Sequence, residues 1–102
     1  MKEFGIDDKN LHLIRSIFKD FHVINKVLVY GSRAKGNYSE QSDIDLVIAD
    51  TNIDRKTIGK ILLAINNSDF PYTVDLQNME AIKNPQLQEH IQRVGKKFYV
   101  KD

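Results

Sequence analysis

Two short β-rich runs with a polar segment between them constrain the fold of this chain most strongly. The first run, 27–30 (VLVY), is apolar throughout and stops at Gly31, which is typical of a strand buried on both faces. In the second run the apolar residues Ile44, Leu46 and Ile48 alternate with Asp43, Asp45 and Val47. Because side chains alternate between the two faces of a strand, this run predicts one oily face and one face that carries acids.

Three helical patterns accompany these strands. Apolar residues recur at helical spacing in the segments 8–21, 54–65 and 85–94. Each segment opens with a helix-start signal, namely Asp7 or Asp8, Asp54, and Pro85. A shorter helical turn is expected directly after Gly31, in residues 32–35.

A third strand is predicted after the second long helix, at Tyr72–Leu76. The alternation places Tyr72, Val74 and Leu76 on the core face, and Thr73 with Asp75 on the opposite face. A short closing strand is expected at 98–100. The order of elements predicts an α+β fold in which a small mixed sheet is backed by helices. The aromatic residues Phe70, Tyr72, Phe98 and Tyr99 either complete the core or contact a partner.

Length and composition limit the function classes. The 102 residues suit a single domain, 1–102, and the charge of +1 argues against a bulk nucleic-acid binder, so any phosphate chemistry must be local. Cysteine is absent, which rules out disulfides and thiolate metal sites. No apolar run approaches the roughly 18 residues of a membrane span, and none resembles a signal peptide. The expected location is therefore cytoplasmic, without membrane contact.

The acids of the second and third strands form the first candidate site. Asp43 and Asp45 stand at i and i+2, so their Cα atoms are about 6.6 Å apart on one side of the strand. Asp75 is expected to join them from another strand. Carboxylates gathered in this way repel one another unless cations neutralise them, and oxygen ligands without His or Cys favour Mg²⁺ or Mn²⁺. The tripeptide Asp43–Asp45 alone is also compatible with an ordinary solvated strand face.

The turn after the first strand forms the second candidate site. Gly31 permits close approach of another group, Ser32 adds a hydroxyl, and the backbone N–H groups of such a turn suit a phosphate. Arg33 and Lys35 could offset the charge of a triphosphate, although either residue taken alone is more often a surface charge than a ligand. Residues 37–41 are the least constrained part and are expected to be a solvated connection.

Other phosphate, metal and nucleophile motifs do not fit. The segment 31–36 has the glycine spacing of a P-loop, but Asn37 and Tyr38 stand where Lys and Ser or Thr are required. The run from Asp43 fails as a calcium loop. His12, His22 and His90 are isolated in the sequence and read as surface or boundary residues, so no nucleophilic triad is assigned.

Gly31 and Ser32, ten intervening residues, and then Asp43-Ile44-Asp45 match the signature G-S-x₁₀-D-x-D. With Asp75 as the third acid, the chain resembles the minimal nucleotidyltransferases (MNT) of the polymerase-beta superfamily. The resemblance implies two Mg²⁺ ions and a nucleoside triphosphate, expected to be ATP, whose nucleoside monophosphate passes to a hydroxyl. Gly31 and Ser32 would hold the triphosphate, Asp43 and Asp45 would ligate both ions, and Asp75 would ligate the catalytic ion and help deprotonate the acceptor. Arg33 follows the usual G-S-R of the family, whereas Lys35 stands where many members have Arg.

The resemblance also implies a partner. Minimal family members are typically paired with a small helical HEPN protein, and several act as antitoxins by adenylylating a tyrosine of that toxin. The sequence leaves two alternatives open. The chain could neutralise a HEPN partner by binding alone, or it could transfer the nucleotide to a small molecule or a nucleic-acid end.

Overall fold

The computed structural model describes residues 3–101, and four strands in these residues form one mixed sheet. The strands are β1 (Lys26–Tyr30), β2 (Ile44–Ile48), β3 (Val74–Asn78) and β4 (Lys96–Val100). Their order across the sheet is β3-β2-β1-β4. β1 runs antiparallel to both of its neighbours, whereas β2 and β3 are parallel. The expectation of a small mixed sheet is therefore confirmed.

The helices are α1 (Asp8–Lys19), α2 (Gly31–Lys35), α3 (Arg55–Asn66) and α4 (Pro85–Val94), and a 3₁₀ turn covers Met79–Ala81. The predicted start signals are used as caps. The Asp7 carboxylate accepts from the backbone N–H of Asn10 at 2.9 Å, and the Asp54 carboxylate accepts from that of Thr57 at 2.8 Å. Pro85 opens α4 behind an Asn84 cap. Among the described residues, no helix is long and apolar enough to cross a membrane.

Both faces of the sheet are covered, by cores of different size. The larger core contains the apolar stripes of α1 and α3 and the inward residues of the strands, with Ile44, Leu46 and Ile48 fully buried. A smaller cluster on the other face joins Tyr30, Val47, Ile82 and Ile91. The face that was expected to carry acids therefore also carries α4, and Asp45 lies on this face near the start of β2.

The third strand begins two residues later than predicted, at Val74. β2 itself begins at Ile44, which pairs with Val74, so the parallel ladder has no partner strand for Tyr72. The predicted faces are nevertheless confirmed, since Leu76 is buried in the larger core, Tyr72 and Val74 pack against it, and Asp75 is exposed. Phe70, Phe98 and Tyr99 are buried in the same core.

Candidate active site

The turn from β1 into α2 is shaped by Gly31. Gly31 has a φ of 73°, a left-handed conformation that favours glycine, and a Cβ at this position would overlap the carboxylate of Asp45. The conformation directs the chain into the single helical turn that carries Ser32, which is half-buried. Gly31 thus brings the predicted phosphate turn into contact with the predicted metal ligand.

Sheet register brings two of the acids together. Asp45 lies opposite Tyr30 of β1 on one side and opposite Asp75 of β3 on the other. Neighbouring strands are about 4.8 Å apart, so Asp45 and Asp75 are adjacent. Asp43 precedes β2 by one residue and is exposed, as is Asp75, whereas Asp45 is half-buried. The acids lie at one end of the sheet, beside the Gly31 turn.

The electrostatics of this end reflect accumulated negative charge. Burial raises the pKa of Asp45, and the charges of Asp75 and Asp43 raise it further, while His90 lowers it. Burial and then the charges of Asp75 and Asp45 raise the pKa of Tyr30 to about 12, so its hydroxyl stays protonated at neutral pH. The ion pairs within residues 3–101 are Arg15–Glu3 and Arg93–Glu89, and neither involves these acids. The cluster is therefore suited to a cation from outside the chain.

The donor set fits an open metal site rather than a closed cage. Over residues 3–101, no three His, Cys, Asp or Glu side chains are arranged closely enough to enclose an ion by themselves. Mg²⁺ usually takes one or two carboxylates and completes its shell with water and substrate phosphates. Asp45 with its neighbours Asp43 and Asp75 supplies oxygen donors of this kind, two of them on exposed residues. A metal at these residues would need water or a phosphate to complete its shell.

Arg33 is placed differently from the sequence expectation of a phosphate contact. Only 2% of the residue is exposed, and its Nε, Nη1 and Nη2 atoms all donate to backbone carbonyl groups. Its hydrogen bonding is thus already directed into the protein. Lys35, by contrast, is exposed at the end of α2, so its side chain is accessible to a phosphate.

His90 and Tyr30 belong to the surroundings of the acids but were not assigned to a site from the sequence. The His90 ring meets the Tyr30 ring edge-to-face with centroids 6.4 Å apart, and both groups influence or are influenced by Asp45. His90 precedes the buried Ile91 of α4. The sequence shows His90 next to the apolar stripe of α4. This position indicates a role at the site only when α4 is known to cover the face of the sheet that carries the acids.

A cleft of about 500 Å³ lies elsewhere, between α1 and β4. Its lining includes Arg15, Lys19 and Lys97, together with the apolar surface of Phe98. None of the residues predicted to bind metal or phosphate lines it. The candidate site is consequently the open polar end of the sheet.

Comparison with known families agrees with this geometry. The family model described as "Polymerase beta, Nucleotidyltransferase" matches residues 12–102. The chain belongs to the polymerase-beta nucleotidyltransferase family. The match includes all the residues of the signature and the third acid.

Relatives of this chain include a protein from Haemophilus influenzae named probable protein adenylyltransferase MntA. It is 29% identical over 75 residues, which are 72% of this chain and 66% of the relative. The chain thus spans just under two thirds of the length of that protein.

Solved structures share the fold at low identity. A chain from a toxin-antitoxin crystal structure with AMP-PNP superimposes with a TM-score of 0.70 at 17% identity, covering 94% of this chain and 76% of the other. A chain from the complex of tri-AMPylated Shewanella oneidensis HEPN toxin with MNT antitoxin gives 0.64 at 16% identity, covering 91% and 71%. These likenesses establish the fold alone.

Proposed function

We propose that this protein is a Mg²⁺-dependent adenylyltransferase that transfers AMP from ATP to a tyrosine hydroxyl of a HEPN partner and thereby acts as an antitoxin. The observation that carries the proposal is the contact geometry of Asp45. Its carboxylate lies against Gly31 of the phosphate turn and in register with Asp75 on β3. A site of this form can hold a triphosphate and cations side by side.

The names of similar proteins support the choice of reaction. The H. influenzae relative is named a probable protein adenylyltransferase, and one structural neighbour comes from a complex with an AMPylated HEPN toxin. Both descriptions concern those proteins, and their extension to this chain is part of the proposal. The nucleotide, the metal and the acceptor are each testable separately.

In the proposed reaction, the acceptor oxygen attacks the α-phosphorus of ATP. A new P–O bond forms to the acceptor, the bond from the α-phosphorus to the bridging oxygen breaks, and pyrophosphate leaves. Asp75, exposed at the polar end of β3, receives the hydroxyl proton. The backbone of Gly31 and the hydroxyl of Ser32 bind the triphosphate, and exposed Lys35 adds positive charge near it.

Asp43, Asp45 and Asp75 would hold two Mg²⁺ ions, with Mn²⁺ as an alternative. Bound there, the ions would neutralise charge on the phosphates and make the acceptor hydroxyl more acidic. The raised pKa of Asp45 fits this role, because its burial and the charges of Asp75 and Asp43 disfavour the charged carboxylate that a cation would stabilise.

Label transfer tests the proposal. The purified protein is incubated with its candidate HEPN partner and with ATP labelled at the α-phosphate or, in a parallel reaction, at the γ-phosphate. The proposal predicts α-label on a partner tyrosine, no γ-label, and dependence on Mg²⁺. Asp43→Asn should abolish transfer, whereas Asp69→Asn, which removes an exposed carboxylate outside the site, should not.

A neutralisation assay separates catalysis from binding. If the Asp43→Asn protein still binds the HEPN partner but no longer neutralises it, the antitoxin effect requires transfer. If it neutralises the partner as well as the unmodified protein does, the chain acts by covering its partner. Label on a small molecule or a nucleic acid instead of the partner would refute the choice of acceptor.

A further inference from the structure

The side chain of Arg33 connects segments that are far apart in the sequence. Its Nε and Nη2 atoms donate to the carbonyl oxygen of Ser42 at 3.0 and 2.8 Å, and Nη2 also donates to that of Glu40 at 3.3 Å. Nη1 donates to the carbonyl oxygen of Phe4 at 2.9 Å. These bonds tie α2 to the N-terminal segment and to residues 37–42, which we call the bridging loop.

Two aromatic rings complete the surroundings of the guanidinium group. Its central carbon lies 5.2 Å from the ring centroid of Tyr38 and 5.0 Å from that of Tyr72. Both distances are within the range of cation–π attraction. Tyr38 belongs to the bridging loop, and Tyr72 leads into β3, so the guanidinium group also connects the loop with the strand that carries Asp75.

The buried guanidinium charge of Arg33 is stabilised without an acidic partner. Burying a guanidinium group is costly unless its donors are satisfied. Arg33 is not in either ion pair of residues 3–101, and no buried side-chain polar atom in that range lacks a hydrogen bond. Carbonyl oxygens and aromatic faces therefore stabilise the charge, and a lysine has too few directed donors to replace it.

The positions of the acceptors relate this cluster to the polar end of the sheet. Ser42, which accepts two of the bonds, immediately precedes Asp43, and Arg33 itself immediately follows Ser32. The bridging loop has internal support from the bonds Ser42 N–H to Ser39 C=O at 3.1 Å and Ser39 N–H to Ser42 Oγ at 2.9 Å. Arg33 thus joins this loop to α2 through three hydrogen bonds.

We infer that Arg33 is a positioning residue, which fixes Asp43 relative to the Gly31–Ser32 turn by holding the bridging loop. It does so through hydrogen bonds to the carbonyl groups of the loop, without contacting phosphate. The consequence for metal and nucleotide rests on the proposed function, whereas the consequence for the loop does not.

Amide hydrogen exchange tests the structural part. In Arg33→Met the amides of Ser39 and Ser42 should exchange at least about tenfold faster, since charged hydrogen bonds that hold the loop are lost. The amide of Asn67, which bonds to the Leu63 carbonyl at the end of α3, should keep its exchange rate and so reports any global loss of stability. Arg55→Met, at an exposed arginine that begins α3, is the matched control and should leave all three rates unchanged.

Binding of Mn²⁺ in the presence of a non-hydrolysable ATP analogue, followed by electron paramagnetic resonance, tests the functional part. The Mn²⁺ concentration at half-saturation should rise about tenfold or more in Arg33→Met, as it does when groups that orient a metal ligand are removed. Arg33→Lys retains the charge but not the hydrogen-bonding fork and should fail to restore binding. A role in stability alone would lower the melting temperature without changing this concentration.

Tyr38→Leu provides a milder variant in case Arg33→Met does not fold. It removes one aromatic face and should speed exchange at Ser39 and Ser42 about threefold. Unchanged loop exchange in both variants would overturn the inference, and so would impaired nucleotide binding with unchanged loop exchange, which would indicate direct phosphate contact. If the unmodified protein transfers no label while the exchange and Mn²⁺ results are as expected, the transferase proposal fails and the positioning role stands.

Discussion

Replacing Asp45 with asparagine should make the protein more stable at neutral pH while abolishing transfer. Asp45 of β2 pairs with Asp75 of the neighbouring strand β3, and neighbouring strands are about 4.8 Å apart. Two like charges about 5 Å apart repel by ~1 kcal/mol in water and by ~3 kcal/mol at an effective dielectric constant of 20. Asp45 is half-buried and Asp75 is exposed, so the lower value applies. In a domain of this size, ~1 kcal/mol corresponds to a rise in melting temperature of about 4 to 8 °C.

The pH dependence of this difference follows from the raised pKa of Asp45. Below its ordinary pKa of 3.8 the Asp45 carboxyl is protonated in the folded and unfolded states alike, so the two proteins should differ little. As the pH rises through the raised pKa of the folded state, the Asp45 carboxyl becomes charged, which lowers the free energy of unfolding of the unmodified protein. Asp45→Asn carries no such charge and does not lose this stability. The advantage of the variant should therefore appear above this range and persist at pH 7.

Thermal unfolding by calorimetry at several pH values measures the effect, with Asp69→Asn as the control carboxylate. Added Mg²⁺ with a non-hydrolysable ATP analogue should stabilise the unmodified protein and have little effect on Asp45→Asn. If Asp45→Asn is less stable than the unmodified protein at pH 7, or gains equally from Mg²⁺ and nucleotide, then the acids do not form an uncompensated cluster and the reasoning is refuted.

Three other variants test how the site is built. Gly31→Ala should lower the free energy of unfolding in urea by about 1 to 2 kcal/mol and abolish transfer, because it forces a side chain into the left-handed region and against Asp45. Unchanged stability together with unchanged transfer would disprove the close approach. Asp54→Ala should lower the melting temperature at pH 7, because it removes the cap of α3. The difference in melting temperature from the unmodified protein should vanish as the pH falls through the lowered pKa of Asp54. A constant difference down to acid pH would exclude the charged cap. Ile91→Ala should lower the free energy of chemical unfolding by about 2 to 5 kcal/mol, because Ile91 is buried. A change near zero would show that α4 is not packed on the sheet.

Local patterns were sufficient to predict most elements of the fold. The alternation through β2 places Ile44, Leu46 and Ile48 in the larger core, and the caps at Asp7 and Asp54 begin their helices as expected. These features depend on neighbours within a few residues, which sequence periodicity records. The contact of Gly31 with Asp45 was anticipated only as an unspecified close approach.

Features that depend on strand pairing or on distant segments were not predictable. Asp75 was expected to join the other acids, but the parallel register that pairs it with Asp45 links two strands that α3 separates in the sequence, and no local pattern encodes it. The burial of Arg33 depends on the carbonyl of Phe4, 29 residues away. For the same reason residues 37–41, expected to be solvated, include the half-buried Tyr38 that packs on this arginine.

The most direct test of the central claim is the transfer of α-labelled AMP to the HEPN partner by the unmodified protein and by Asp43→Asn, at equal degrees of complex formation. The account predicts Mg²⁺-dependent label on a partner tyrosine with the unmodified protein and none with the variant. Equal labelling by both proteins, or no labelling by the unmodified protein in the presence of Mg²⁺ and ATP, would contradict it.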